Sequence, residues 1–236
     1  MYKIFIHQFF GLKKGFLFYK KVHGIDQFYL FAKISSVLTP SKPFRVVVLA
    51  STRGTAFGGM LEERRDGKLK NVEFVGLVAN KECGAVERAR ASGIPTFVLN
   101  GKSEQYHEEL LTKVQELEPD LICMIGYMKF LSKDFCEEFA NKILNAHPSL
   151  LPKFAGKMDG SVHAEVLAAG EKKSGTTIHL VTAEVDAGAI ICQKECDVEE
   201  NETIESLREK VQNLEKKWYP EVIRWFRDEK IYFTEN

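Results

Sequence analysis

FRVVVLA, residues 44–50, is a run built on consecutive β-branched valines and is apolar apart from Arg45. Side chains alternate between the two faces of a strand, so such a run leaves no polar face for water. It is the mark of a strand buried on both sides, as in a parallel sheet covered by helices. The downstream sequence repeats the theme. FGGMLEERRDGKL suits a helix despite its paired glycines, VEFVGLVAN (72–80) a second strand, and CGAVERARASG a short helix closed by Gly93. IPTFVLN is a third strand, and SEQYHEELLTKVQELEPD (103–120) an amphipathic helix with Ser103 as N-cap and Pro119 at its end. LICMIG (121–126) is a fourth strand, and SKDFCEEFA a helix starting from Ser132. Strands alternating with helices in this way predict an α/β fold, a doubly wound, mostly parallel Rossmann-like sheet. Beyond residue 160, TTIHLV and AIICQKE read as an antiparallel addition across TAEVDAG, and ETIESLREKVQNLEKKWYPEVIRWF (202–226) as a long C-terminal helix. Ligands of such sheets sit outside the carboxyl ends of the parallel strands.

The chain has 236 residues and no net formal charge, but the charge is unevenly spread. Residues 1–43 hold seven lysines and one acid, so the remaining body is net acidic. That balance argues against general nucleic-acid binding, while leaving room for a local basic pocket for a small anion. Ten aromatics interleave with the lysines of residues 1–43. No apolar run there approaches the ~18 residues of a membrane span. A secretory signal is not expected either. The stretch reads as an N-terminal extension of unassigned role, with a surface-binding segment or a mis-assigned start as alternatives, and residues 44–236 as a single domain. The five cysteines form no pattern of paired zinc ligands, so no metal is expected, and the compartment is read as reducing and cytoplasmic.

Three segments at strand ends carry chemistry. ASTRGT (50–55) is a small-residue turn into a helix N-terminus, which presents N–H groups to an anion, with Arg53 as a fixed cation; a plain strand–helix turn is the alternative. Its glycines match neither the dinucleotide nor the Walker pattern. GYMKFLS (126–132) ends the fourth strand, where Gly126 lets backbone approach a flat heterocycle. LNAHPSLLP (144–152) puts Asn145 and His147 two apart on chain held extended by Pro148, so both project to one side. Asp186, in VTAEVDAGAI (181–190), is a turn residue unless it lies near His147, where it would favour the imidazolium. His179 reads as packing or support, and His163 as a helix-entry residue.

The pairing of N-x-H-P-S-L-L-P with SGTTIHLVTAEVDAGAI resembles the folate-dependent phosphoribosylglycinamide formyltransferase family. ASTRGT, GYMKFLS and WYPEVIRWF fit the same family in order, and the likeness spans about residues 44 to 227. It implies transfer of a formyl group from 10-formyltetrahydrofolate to glycinamide ribonucleotide in purine biosynthesis. Asn145, His147 and Asp186 match its catalytic set, with Asn145 and His147 on the formyl oxyanion and Asp186 keeping His147 protonated. Gly54, Thr55 and Glu215, with Arg53 and Ala56 beside them, fall on the ribonucleotide side. Met128, Lys129, Phe130 and Leu131, with Asn145, match the folate side.

Three departures bear on affinity: Ala56 where the family has Asn or Asp, Ser103 where many members have arginine, and Lys157 where related versions have glycine. The expected partners are the two small molecules, without nucleic acid, a membrane span or a metal, in a monomer or homodimer. Alternatives are another 10-formyltetrahydrofolate-using transferase or hydrolase, or a nucleotide-binding module without catalysis.

Overall fold

The structure is a computed structural model, which describes residues 3–6, 17–22, 25–30, 42–156 and 160–234. Lys157 lies outside the described residues. Three strands, β1 (Lys3–Ile6), β2 (Leu17–Val22) and β3 (Ile25–Leu30), fall in the N-terminal extension, and β2 and β3 pair with each other. The body then runs β4 (Phe44–Ala50), α1 (Thr55–Arg65), β5 (Val72–Ala79), α2 (Gly84–Ala91), β6 (Thr96–Val98) and α3 (Tyr106–Glu116). It continues through β7 (Leu121–Ile125), α4 (Lys133–Glu138), β8 (Ile143–His147) and α5 (Gly160–Ala168). The last elements are β9 (Lys173–Leu180), β10 (Ile190–Asp197), α6 (Ile204–Arg227) and β11 (Ile231–Thr234), which pairs antiparallel with β1.

Seven strands form one sheet in the order β10-β9-β8-β7-β4-β5-β6. The pairings from β6 to β8 are parallel, and β9 and β10 add to the edge antiparallel. This is the expected doubly wound sheet with its antiparallel addition. The reason is visible in β4. Val46 and Val48 enter the core on one face with Phe57, Met60 and Tyr219, while Val47 and Leu49 enter the opposite core with Tyr106, Leu110 and Phe135. All four β4 side chains are fully buried, each contributing about 1.5–3 kcal/mol.

Ser132 caps α4 as expected, accepting a hydrogen bond from the Phe135 N–H at 3.2 Å. The Ser103 expectation is corrected. α3 starts only at Tyr106, because the Ser103 hydroxyl takes the Gln105 N–H at 3.2 Å in a turn ahead of the helix. All five cysteines are free, and no helix among the described residues is long and apolar enough to cross a membrane.

Candidate active site

From β4 the chain winds one way to β5 and β6, then returns to lay β7 on the other side of β4. The carboxyl ends of β4 and β7 are therefore the point where strand order reverses, and connections leaving in opposite directions open a crevice there. A cleft of about 480 Å³ occupies it, a size suited to a small-molecule ligand.

Two glycines fix the turns beside it. Gly54 is the N-cap of α1 at φ +67°, and a Cβ there would fall 2.7 Å from the Ala85 Cβ. Gly126 has φ +53°, and a Cβ there would meet the Thr52 Oγ1 at 2.2 Å. Both positions thus require a residue without a side chain. The Met128 N–H donates to the Ser51 Oγ at 2.9 Å, tying the loop after β7 to the end of β4.

β8 supplies the centre. Asn145 and His147 lie in the strand itself, opposite His179 and Thr177 of β9, so they project to one face as predicted. The following loop is tied down by Thr177. Its hydroxyl donates to the Ser149 carbonyl at 2.6 Å and accepts the Leu151 N–H at 3.1 Å. The chain then folds back, and the Phe154 carbonyl comes to 3.0 Å from the His147 Nε2.

Asp186, at φ +51°, turns its carboxylate inward from the β9–β10 connection. Oδ2 lies 3.3 Å from the His147 Nδ1 and accepts the Gly156 N–H at 2.8 Å. Oδ1 lies 3.5 Å from the His179 Nε2, which is also 3.3 Å from the Asn145 Nδ2. The other nitrogen of His179, Nδ1, donates to the Leu180 carbonyl at 2.8 Å. One connected network therefore joins Asn145, His179, Asp186 and His147. His179 is part of it rather than simple packing.

Both ring nitrogens of His147 face acceptors, an arrangement that only the doubly protonated ring satisfies in full. Burial works the other way and is the larger influence. It depresses the His147 pKa, with the Asp186 charge and the Phe154 carbonyl offsetting part of the effect. Asp186 thus limits the depression that burial imposes on His147. Asp186 itself is pushed up by burial, but its His179, Gly156 and His147 neighbours outweigh this and hold its pKa below the usual carboxylate value.

The cleft wall includes Arg53, Thr55 and Ala56 at the start of α1, and Met128 to Leu131 after β7. Phe130 is 57% exposed and forms part of the rim. Gly54 is the exception among the expected contacts: it is buried behind the wall against Ala85. Ser103 is also absent from the wall. Glu215 lines the cleft from α6, joined by Arg208 and Gln212, which sequence reasoning missed. Their signal was the spacing from Glu215, since 208, 212 and 215 fall on one helical face. Tyr219, one turn further on, places its hydroxyl 3.1 Å and 2.9 Å from the carbonyls of Met124 and Leu144, anchoring α6 to the strands that carry the site.

Residues 44–223 match the formyl transferase family. The chain is 32% identical over 195 residues to the phosphoribosylglycinamide formyltransferase of Escherichia coli (strain K12), covering 81% of this chain and 91% of that protein. It is 36% identical over 200 residues to the chloroplastic phosphoribosylglycinamide formyltransferase of Arabidopsis thaliana, covering 81% and 68%. Among solved structures, glycinamide ribonucleotide transformylase 1 of Symbiobacterium toebii superposes with a TM-score of 0.74 at 33% identity, covering 79% of this chain and 89% of that one. Phosphoribosylglycinamide formyltransferase of Coxiella burnetii gives 0.75 at 31% identity, covering 83% and 92%.

Proposed function

The chain belongs to the phosphoribosylglycinamide formyltransferase family, and from that premise we propose that it transfers the formyl group of 10-formyltetrahydrofolate to the amine of glycinamide ribonucleotide, through Asn145, His147 and Asp186. The observation that carries this reading is the shared face of Asn145 and His147 on β8, with Asp186 within 3.3 Å of the imidazole.

The chemistry follows from what the reaction needs. The substrate amine attacks the formyl carbon, and the carbonyl electrons move onto the formyl oxygen. A fixed N–H donor at that oxygen stabilises the developing charge, and the Asn145 amide fills this role. The attacking nitrogen must lose a proton, and the His147 imidazole is the acceptor assigned to it. As His147 takes that proton, Asp186 and an acceptor at Nε2 satisfy both of its N–H groups. In the resting chain the Phe154 carbonyl is that acceptor, and a substrate oxygen takes its place during reaction. Collapse then breaks the bond from the formyl carbon to the folate nitrogen, which receives a proton in return. No covalent enzyme intermediate is required.

The ribonucleotide lies along the α1 N-terminus and Glu215, with Arg53, Thr55 and Ala56 in the same wall. The folate lies against residues 128–131, where Lys129 and Phe130 reach the rim. The work is that of a cytoplasmic enzyme acting on two small molecules.

The test is to incubate the protein with both substrates and follow tetrahydrofolate and formylated ribonucleotide together. Equal amounts of both products support the reading. Tetrahydrofolate and free formate without any need for the amine would make the chain a hydrolase, and no turnover of either substrate would remove the catalytic reading.

A further inference from the structure

Arg208 lies on α6 two turns before Glu215, with Gln212 between them, and all three line the cleft. Beside it, Leu207 and Val211 pack into Val162 and Val166 of α5, which fixes how this end of the helix is rotated. The Arg208 Nε is fully buried and has no hydrogen-bond partner among the described residues. A buried donor without an acceptor is unfavourable, and a guanidinium cannot relieve the deficit by giving up its proton. The fold thus holds a partly exposed guanidinium at the edge of the cleft, with its Nε unsatisfied among the described residues.

The opposite wall complements it. α1 and α6 pack side by side. Glu63 pairs with Arg224, and Gly59 sits so close to Lys216 that a Cβ there would lie 2.4 Å from the Lys216 Cγ. Following both helices toward their N-termini leads from these contacts to Thr55 and Ala56 on one side and to Arg208 and Gln212 on the other, residues that line the same cleft. The α1 N-terminus has no side-chain cap and no acidic residue in its first turn, so neither offsets its positive end. A helix N-terminus on one side and a guanidinium on the other suit a phosphate monoester, which accepts from both.

We propose that Arg208 is a ribonucleotide-binding residue, holding the substrate phosphate against the α1 N-terminus and supplying a contact that Ala56 lacks. This rests on the ribonucleotide reading given above.

The experiment uses the full chain, with Arg208→Gln and Arg208→Lys, and compares glycinamide ribonucleotide with its dephosphorylated riboside. Arg208→Gln should raise the KM for the ribonucleotide by about tenfold to a hundredfold, the range for a lost charge-assisted hydrogen bond. It should leave kcat and the folate KM unchanged, and Arg208→Lys should recover part of the loss. The riboside should be used equally poorly by wild type and Arg208→Gln. Equal losses with both substrates would assign Arg208 to the fold alone, and no loss with either would also overturn the proposal. Binding of ribose 5-phosphate by calorimetry needs no turnover and separates the two readings. Weaker binding by Arg208→Gln in a chain that does not formylate the ribonucleotide would leave Arg208 standing and remove the catalytic reading. Identical binding by wild type and variant, or none by either, overturns the Arg208 assignment.

Discussion

Asp186 lies 3.3 Å from the His147 imidazole, yet the ring's pKa is below its ordinary value because burial outweighs the neighbouring charge. The sign of one prediction follows. Asp186 raises the His147 pKa, so Asp186→Asn should let it fall further. In the folded protein the ring would then become protonated only at lower pH, and the acid limb of kcat/KM, where protonation removes the proton acceptor, should move to lower pH. Imidazole NMR titration of His147 in both proteins checks this. A limb that stays in place or moves to higher pH would detach Asp186 from the ring.

Asn145 is the donor assigned to the formyl oxygen. Asn145→Ala should lower kcat by about a hundredfold to a thousandfold, as for other single donors of this kind. Both KM values should change little, because the contact forms chiefly in the transition state. Steady-state kinetics in each substrate decides it, and a loss confined to KM would move Asn145 to ground-state binding.

Gly126 is required on steric grounds. Gly126→Ala places a Cβ 2.2 Å from the Thr52 Oγ1 in a backbone region with φ +53°. A loss of about 1–3 kcal/mol in unfolding free energy is expected from denaturant titration. Thr52→Ala should recover the steric part of that loss and leave the backbone part. An unchanged midpoint would show that the loop yields at no cost.

The extension is proposed to be separable from the body. A chain beginning at Lys42 loses the β1–β11 pairing but keeps all seven strands of the main sheet. It should fold and retain most of its activity, as judged by thermal melting and turnover. Insolubility or inactivity would place part of the fold's stability in residues 1–41.

Much of this was legible in the sequence where the determining physics is local. Val46 to Leu49 announce a strand buried on both faces, and each ends in the core its alternation dictates. Pro148 holds its neighbour extended, and Asn145 and His147 do lie in a strand with a shared face. Long-range features were not legible. Ser103 has the chemistry of a cap, but its hydroxyl is taken within the preceding turn. The inward turn of Asp186, which draws His179 into the network, depends on how the β9–β10 connection folds over β8. The lowering of the His147 pKa was not legible either, because burial is a property of the assembled cleft. Arg208 carries no local signal beyond sharing a helical face with Glu215.

The central claim is that His147 and Asp186 act as one unit in proton transfer, and a double-mutant cycle on kcat tests it most directly. His147→Ala should lower kcat by about a hundredfold to ten-thousandfold. Asp186→Asn alone should cost less, and adding it to His147→Ala should cost almost nothing more, since the carboxylate acts through a ring that is no longer there. Fully multiplicative losses, or a His147→Ala protein with wild-type kcat, would contradict the account.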